Sequence, residues 1–218
     1  MAWPQPPPLL AAFCPDHLRM KPITPSPVSS RKFVFLDFEA SSLAKLSYPI
    51  EVAWVFEDGT SEAHLIRPAP KWTDWDAEAE AVHHISRDTL EQEGAPHDIV
   101  ARRMVEQLSG HDLFASAPSW DGKWLSALLR AAKLPRHALR IRDTEEARAE
   151  AARRILAPVF PAERLHIEIA DVLALVDVRR ESGEPAHRAL ADAQDEHRHW
   201  QDVVREAEAV AMRAAGGG

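Results

Sequence analysis

The pattern of apolar and polar positions becomes strand-like at Lys32. Three strand-like runs follow one another over 32–38, 50–56 and 62–68, and the turn-forming residues 57–60 separate the last two. Short connections between consecutive strands are typical of antiparallel pairing. The pattern therefore predicts a three-stranded antiparallel meander at the start of the folded part of the chain.

Beyond Trp72 the apolar positions recur mainly at helical spacing, interrupted by two short strand-like runs. Ser86 is a predicted N-cap, and Gly110 is a predicted helix stop. The predicted helices cover 73–85, 86–94, 96–110, 119–133, 144–156, 162–180 and about 186–208, and the predicted strands cover 111–117 and 139–143. A meander followed by alternating strands and helices predicts an α/β fold, with helices on the faces of one sheet.

The two ends of the chain differ from this folded part in composition. Eight of the 17 prolines lie within the first 27 residues, which predicts a proline-rich mobile arm over 1–31, with Met20 as an alternative native start. The glycine-rich end predicts a frayed tail over 209–218. One domain is therefore expected over 32–208.

Composition and net charge narrow the classes of function that this chain could have. A chain of 218 residues with 45% hydrophobic content can bury one good core. The net charge of -8 argues against a broad basic face for nucleic acid. Cys14 is the only cysteine, which excludes an intrachain disulfide and a Cys-based zinc site. With no signal-like start and no apolar run long enough to span a bilayer, a soluble cytoplasmic protein is expected.

The first candidate functional residues are two carboxylates at the end of an apolar strand. Asp37 and Glu39 follow the run Phe33–Leu36 and, two positions apart on a strand, point to the same face. They could be solvated acids at an exposed strand end. A buried central strand instead favours a divalent-metal site, because α/β sheets place their ligands at strand carboxyl ends.

Three further residues complete a candidate metal-binding set. Asp121 begins a helix directly after a predicted strand, where it could also simply interact with the helix dipole. His187 and Asp192 lie at the start of the last helix, where both could be solvated surface residues. Together they give four carboxylates and one base without a thiolate. Such a set suits Mg²⁺ or Mn²⁺ rather than zinc.

Three sequence motifs resemble those of the DEDDh 3′–5′ exonucleases, a family that includes the proofreading subunit of bacterial replicative DNA polymerase, RNase T and oligoribonuclease. They are LDFEASSL, SAPSWDGKWL and HRALADAQ, in the family's order and spacing, and AVHHIS and RIRDTEEARA add weaker matches. The resemblance covers roughly 32–208. It implies an RNase H-like fold, with a mixed five-stranded sheet made of the antiparallel meander plus parallel strands and flanked by helices.

The resemblance also implies a role for individual residues. Asp37, Glu39, Asp121 and Asp192 match the four metal-binding acids, which hold two Mg²⁺ or Mn²⁺ ions, and His187 matches the general base. Contacts to the 3′-terminal nucleotide are expected from Phe38, Ala40, Ser41, Ser42, Leu43 and His84. Leu43 is a candidate wedge beside the terminal base, with core packing as the alternative.

The chain departs from many relatives in having Ala117 where they carry Asn, and Trp120 and Trp124 where Phe is commoner. Both tryptophans are expected in the core, with a role as base-stacking platforms as the alternative.

The implied reaction is hydrolysis of the 3′-terminal phosphodiester by a two-metal mechanism, which releases nucleoside 5′-monophosphates. The net charge favours short or single-stranded DNA or RNA 3′ ends, or delivery of the substrate by a partner, and no motif distinguishes DNA from RNA. A homodimer is expected by analogy with RNA-trimming relatives.

Two alternatives to an exonuclease are a catalytically silent binding module of the same fold and a hydrolase of small phosphate esters. A basic run could track a strand or be a solvated face; it consists of Arg130, Lys133, Arg136, Arg140 and Arg142.

Overall fold

The computed structural model describes residues 31–180 and 187–216, and its centre is a six-stranded mixed sheet. The strand order is β4-β3-β2-β1-β5-β6. The strands are β1 (Phe33–Ala40), β2 (Pro49–Phe56), β3 (Ser61–Arg67), β4 (Ala95–Pro96), β5 (Asp112–Ala115) and β6 (Ile141–Asp143). The predicted proline-rich arm lies outside the described residues, apart from Arg31.

Strand pairing confirms the predicted meander and the mixed sheet. β2 pairs antiparallel with both β1 and β3, while β5 runs parallel to β1 and β6 runs parallel to β5. The two-residue strand β4 adds to the edge of the sheet, parallel to β3. The sheet therefore has one strand more than expected, because so short a strand leaves no periodic pattern in the sequence.

Seven helices are present in the described part of the chain, and most begin and end near the predicted positions. Ser86 caps α2 as predicted, since its hydroxyl accepts a hydrogen bond from the Thr89 amide at 3.1 Å. The helices are α1 (Ala77–His83), α2 (Arg87–Glu93), α3 (His97–Leu108), α4 (Pro118–Ala131), α5 (Thr144–Leu156), α6 (Ala162–Arg179) and α7 (Ala189–Gly216). In this part of the chain no helix combines the length and apolar character needed to cross a membrane.

Two helix boundaries differ from the sequence prediction. α1 begins at Ala77, not at residue 73, because Asp76 caps it by accepting a hydrogen bond from the Glu78 amide at 2.9 Å. α7 continues to Gly216, well past the predicted end at Glu208. Val210 and Ala211 lie in that extension and pack against the helical core described next. Most of the predicted tail is thus helical.

Two faces of the sheet are covered by different helices. Val34, Leu36 and Phe38 belong to a core cluster that includes Met104 of α3 and Leu128 of α4. On the opposite face, Phe33 and Phe35 pack with residues of β5, α5 and α7. A second helical core joins α5, α6 and α7 through Leu156, Val172 and Val203, among others. Because strand side chains alternate, Asp37 and Glu39 share the face of Phe33 and Phe35, beneath α7.

Candidate metal centre

Three carboxylates meet at the carboxyl end of β1. Asp37 and Glu39 come from that strand, and Asp192 comes from the first turn of α7. One ligand oxygen from each lies within 4.8 Å of the others. α7 is fixed over this face because His197 and Trp200 pack on Phe35, with ring centroids 5.8 and 5.7 Å away. Helix packing thus brings Asp192 to the acids on the strand.

Burial and mutual repulsion hold protons on the two acids of β1. Burial, followed by the charges of Asp121 and Glu39, raises the pKa of Asp37 well above its usual range. Burial, followed by the charge of Asp192, raises the pKa of Glu39 to about 8. Like charges gathered in a partly desolvated site favour neutralisation by protons or by a cation. The site therefore has the electrostatics of a cation-binding centre.

Asp121 reaches the same edge of the sheet from α4. β1 and β5 are parallel, so their carboxyl ends lie together, and α4 starts shortly after β5. Asp121 is only 1% exposed, and its Oδ2 is buried without a hydrogen-bond partner. Burial raises its pKa to about 7, although backbone hydrogen bonds at Phe38, Asp121 and Ala117 oppose that rise. A buried carboxylate oxygen without a partner, electrostatically coupled to Asp37, fits a metal ligand.

His187 lies outside the acidic cluster and directly ahead of α7. Its side chain is exposed, and its backbone has a φ of 50°, in the left-handed region that residues other than glycine seldom adopt. Such conformations are concentrated at functional sites. His187 is thus accessible to solvent at the start of the helix that carries Asp192.

The residues predicted to contact the terminal nucleotide differ in exposure. Of the five predicted within 38–43, only Leu43 has an exposed side chain, at 69%. Phe38 belongs to the core, and the hydroxyls of Ser41 and Ser42 donate to Asp74 at 3.0 and 2.5 Å. Leu43 therefore presents its side chain to solvent, and the core-packing alternative for it is wrong.

The histidine pair at the end of α1 shows a similar contrast. His84, the predicted contact, is an exposed C-cap residue with a φ of 57°. Its neighbour His83 is buried, and His83 Nε2 has no hydrogen-bond partner. Burial lowers the pKa of His83. His84 is thus the accessible member of the pair.

The two tryptophans around Asp121 have different environments. Trp124 lies in the core as predicted, and its indole N–H donates to Ser47 at 3.0 Å. Trp120 is 37% exposed, with the Lys123 ammonium 4.7 Å from its ring centroid. The core prediction is therefore wrong for Trp120, because only one face of the first turn of α4 meets the sheet.

The predicted basic run is partly neutralised. Arg142 forms ion pairs with Asp112, Glu146 and Glu150 at 3.6, 2.9 and 3.6 Å. The other four basic residues, Arg130, Lys133, Arg136 and Arg140, are exposed. Arg142 is thus less available to a phosphate than the sequence indicated.

Glu51 and Arg188 belong to the site but are not predicted from the sequence. Glu51 is a buried acid in the middle of β2, and Arg188 binds it through two hydrogen bonds. The charge of Arg188 lowers the pKa of Glu39, against the larger effects that raise it. A charged residue inside the apolar run 50–56 is the one sequence signal that could have identified Glu51.

Comparisons with known proteins find similarity in structure but not in sequence. No protein-family model matches the chain, and no curated protein matches it. Exonuclease I from E. coli, with zinc and single-stranded DNA, superposes with a TM-score of 0.54 at 16% identity, over 84% of this chain and 41% of that chain. Its complex with a dA16 oligonucleotide gives a TM-score of 0.57 at 16% identity, over 83% and 42%.

Exonuclease I from Methylocaldum szegediense is similar to the same degree. Its TM-score is 0.53 at 16% identity, over 81% of this chain and 40% of that chain. The chain thus spans about two fifths of the length of these exonuclease I chains. The superpositions establish that the chain shares their fold, which confirms the predicted RNase H-like α/β architecture.

Proposed function

We propose that this chain is a metal-dependent 3′–5′ exonuclease of the DEDDh family, acting on single-stranded nucleic acid. The observation that carries the proposal is the convergence of Asp37, Glu39 and Asp192 at one strand end, together with Asp121, whose Oδ2 has no partner and whose charge raises the pKa of Asp37 and of Glu39. Solved structures of the same fold are complexes of exonuclease I with single-stranded DNA. The fold and the acid set support the same activity.

The four acids are suited to hold two Mg²⁺ or Mn²⁺ ions. Asp37, Glu39 and Asp192 would supply ligand oxygens from their cluster, and Asp121 would supply its free Oδ2. Hard carboxylate ligands without thiolate favour these ions. Bound ions would supply the positive charge that activates a water molecule and stabilises the leaving 3′ oxygen.

The other predicted site residues would accept a proton or contact the 3′ end of the substrate. His187 would accept the proton of the attacking water, a role that needs an accessible imidazole beside the acids. Leu43 would contact the terminal base from the exposed loop after β1, and His84 would line the same approach. The products would be nucleoside 5′-monophosphates, released one at a time from the 3′ end.

The net charge of the chain limits which kind of nucleic acid it can bind well. A net charge of -8 gives weak long-range attraction for a duplex, so binding would depend on contacts at the strand end. We therefore propose single-stranded 3′ ends as substrate, with DNA tested against RNA. The homodimer and the cytoplasmic location stay predictions.

The test is a time course with 5′-labelled single-stranded DNA and RNA in Mg²⁺, Mn²⁺ or EDTA. We expect a ladder that shortens from the 3′ end only with metal. Asp37→Ala should lower the rate at least ~10³-fold because a metal ligand is lost, and His187→Ala should lower it about 10²–10⁴-fold. Asp88→Ala and His137→Ala are matched controls on exposed residues and should keep the wild-type rate.

Other results would point to other functions. Binding of oligonucleotides by the wild-type protein without cleavage in any metal would indicate a silent binding module. Cleavage of a small phosphodiester, with oligonucleotides left intact, would indicate a small-ester hydrolase. Either result would exclude the proposed exonuclease.

A further inference from the structure

A buried acid lies directly across the sheet from a proposed metal ligand. Glu51 of β2 is the register partner of Glu39 in β1, and it is 4% exposed. Two carboxylates directly opposite on neighbouring strands repel each other. Some compensating contact must therefore hold Glu51 in this place.

The compensating contact comes from the start of α7. The Arg188 guanidinium donates to Glu51 Oε1 from Nη2 at 2.7 Å and to Oε2 from Nε at 3.1 Å. The Ala189 amide also donates to Oε2, at 3.0 Å. Glu51 therefore binds one of the amides that a helix N-terminus leaves without an intrahelical partner.

These contacts surround residues that the proposed mechanism uses. His187 immediately precedes Arg188 and has the left-handed φ of 50°, while Asp192 lies one turn further along α7. The Asp192 amide donates to the Arg188 carbonyl at 3.1 Å, which closes the first turn. The pair thus holds the backbone on which both His187 and Asp192 depend.

We propose that Glu51 and Arg188 form a positioning pair that fixes the start of α7 and so sets His187 and Asp192 against Asp37 and Glu39. Both Glu51 oxygens are engaged by Arg188 and Ala189, so Glu51 acts through α7 and not as a metal ligand. The inference rests on the proposed exonuclease function. It adds two residues that act on the geometry of the reaction without touching the substrate.

Glu51→Gln and Arg188→Lys test the pair. Each removes part of the two-point contact, so we expect kcat to fall about 10–100-fold and KM to change less than about threefold, since positioning acts on the chemical step. Hydrogen exchange of the Ala189 and Asp192 amides should speed up about tenfold or more, which reports on α7 independently of activity. The double variant Glu51→Gln/Arg188→Lys should be little worse than either single variant, because the two residues act as one unit.

A second ion pair of the same geometry provides the control. Arg103 binds Glu62 from Nε and Nη2 at 3.0 and 2.6 Å, between α3 and β3. Glu62→Gln should leave kcat and the exchange of the Ala189 and Asp192 amides unchanged. An equal loss of kcat in Glu62→Gln would reduce the Glu51 effect to general destabilisation and overturn the inference.

The outcomes separate this inference from the proposed function. An active wild-type protein whose Glu51→Gln and Arg188→Lys variants keep kcat within twofold would overturn the inference alone. An inactive wild-type protein would overturn the exonuclease proposal, and with it the positioning role, whatever the exchange experiment shows. If Glu51→Gln does not fold, Arg188→Lys decides the matter, because the Arg188 side chain is about half exposed.

Discussion

Asp121 and Glu39 are two buried acids whose protonation links the site to the stability of the protein. Their pKa values rise to about 7 and about 8, chiefly through burial. An unfolded chain would titrate the same acids near pH ~4. Without metal these two acids therefore hold more protons in the folded protein than in the unfolded chain between these pH values, and their contribution to stability falls as the pH rises from about 4 to about 8.

Removing the charge of Asp121 should reverse part of that loss. In EDTA at pH 8, we expect Asp121→Asn to raise the free energy of unfolding by on the order of 2 kcal/mol, since a buried, uncompensated charge is removed. At pH 4 the difference should be small, because the folded wild-type acid is then neutral and the unfolded acid, which titrates near pH ~4, is only about half ionised. Urea unfolding at the two pH values measures both effects.

An exposed acid provides the control for the Asp121→Asn experiment. Asp88→Asn changes an exposed acid in the first turn of α2 and should alter the pH dependence little. A lower stability of Asp121→Asn at pH 8 would show that the ionised carboxylate is well solvated or paired there. Adding Mn²⁺ should stabilise the wild-type protein more than the variant, because a ligand is missing in the variant.

The loop between β1 and β2 is the element that carries the exposed Leu43 and follows directly after the strand with Asp37 and Glu39. It is closed by a hydrogen bond from the Ser41 amide to the Tyr48 carbonyl at 3.0 Å. Ser47 ties it to α4, since its hydroxyl oxygen accepts from the Lys123 ammonium at 2.9 Å and from the Trp124 indole at 3.0 Å. Lys123 also donates to the Ala44 carbonyl at 2.7 Å, so the loop is held to the helix that carries Asp121 by the Ser47 hydroxyl and by the Ala44 backbone.

Ser47→Ala should loosen this connection. It leaves the buried Trp124 N–H without its acceptor, and such an unsatisfied donor costs about 1–3 kcal/mol. Thermal or urea unfolding measures the loss. Ser109→Ala, on an exposed serine whose hydroxyl donates to the Val105 carbonyl, should change stability by less than about 0.5 kcal/mol. Equal stability of Ser47→Ala and the wild-type protein would mean that water or a shifted side chain satisfies the indole.

Across the molecule, α7 connects the candidate metal centre to the helical core formed with α5 and α6. Its first turn carries Asp192, its middle packs Trp200 against Phe33 and Phe35, and its last part contributes Val203 and Ala207 to that core. A long helix anchored at several points behaves as one rigid element. The helical core thus helps hold Asp192 in place from a distance.

A chain ended at Glu208 tests the contribution of the last turns. It removes Val210 and Ala211 from the helical core and Arg213 from its ion pair with Glu206. We expect a loss of about 1–3 kcal/mol in the free energy of unfolding, mostly from lost apolar burial. The control ends at Ala215 and keeps these contacts, so it should match the full chain. Equal stability of both shortened chains would indicate that 209–215 contribute nothing, as a frayed tail would.

Local sequence determined most of the elements and the acids of the site. The apolar alternation of 33–36, the N-cap at Ser86 and the helical spacing after Trp72 each depend on near neighbours, so the local pattern is sufficient to predict them. The pairing of Asp37 with Glu39 on one face follows from the strand period alone. The order of the three motifs then indicated which acids belong together.

Only the tertiary structure decided which charged residues are buried and what compensates them. Glu51 and Arg188 are 137 positions apart, and their contact depends on where α7 lies over the sheet. The tertiary structure likewise leaves Asp121 Oδ2 without a partner and Trp120 exposed on α4, and it packs the extension of α7 to Gly216 against the helical core. Contacts of this kind join residues that share no local period, so their free energies depend on the assembled fold and cannot be read from the sequence pattern.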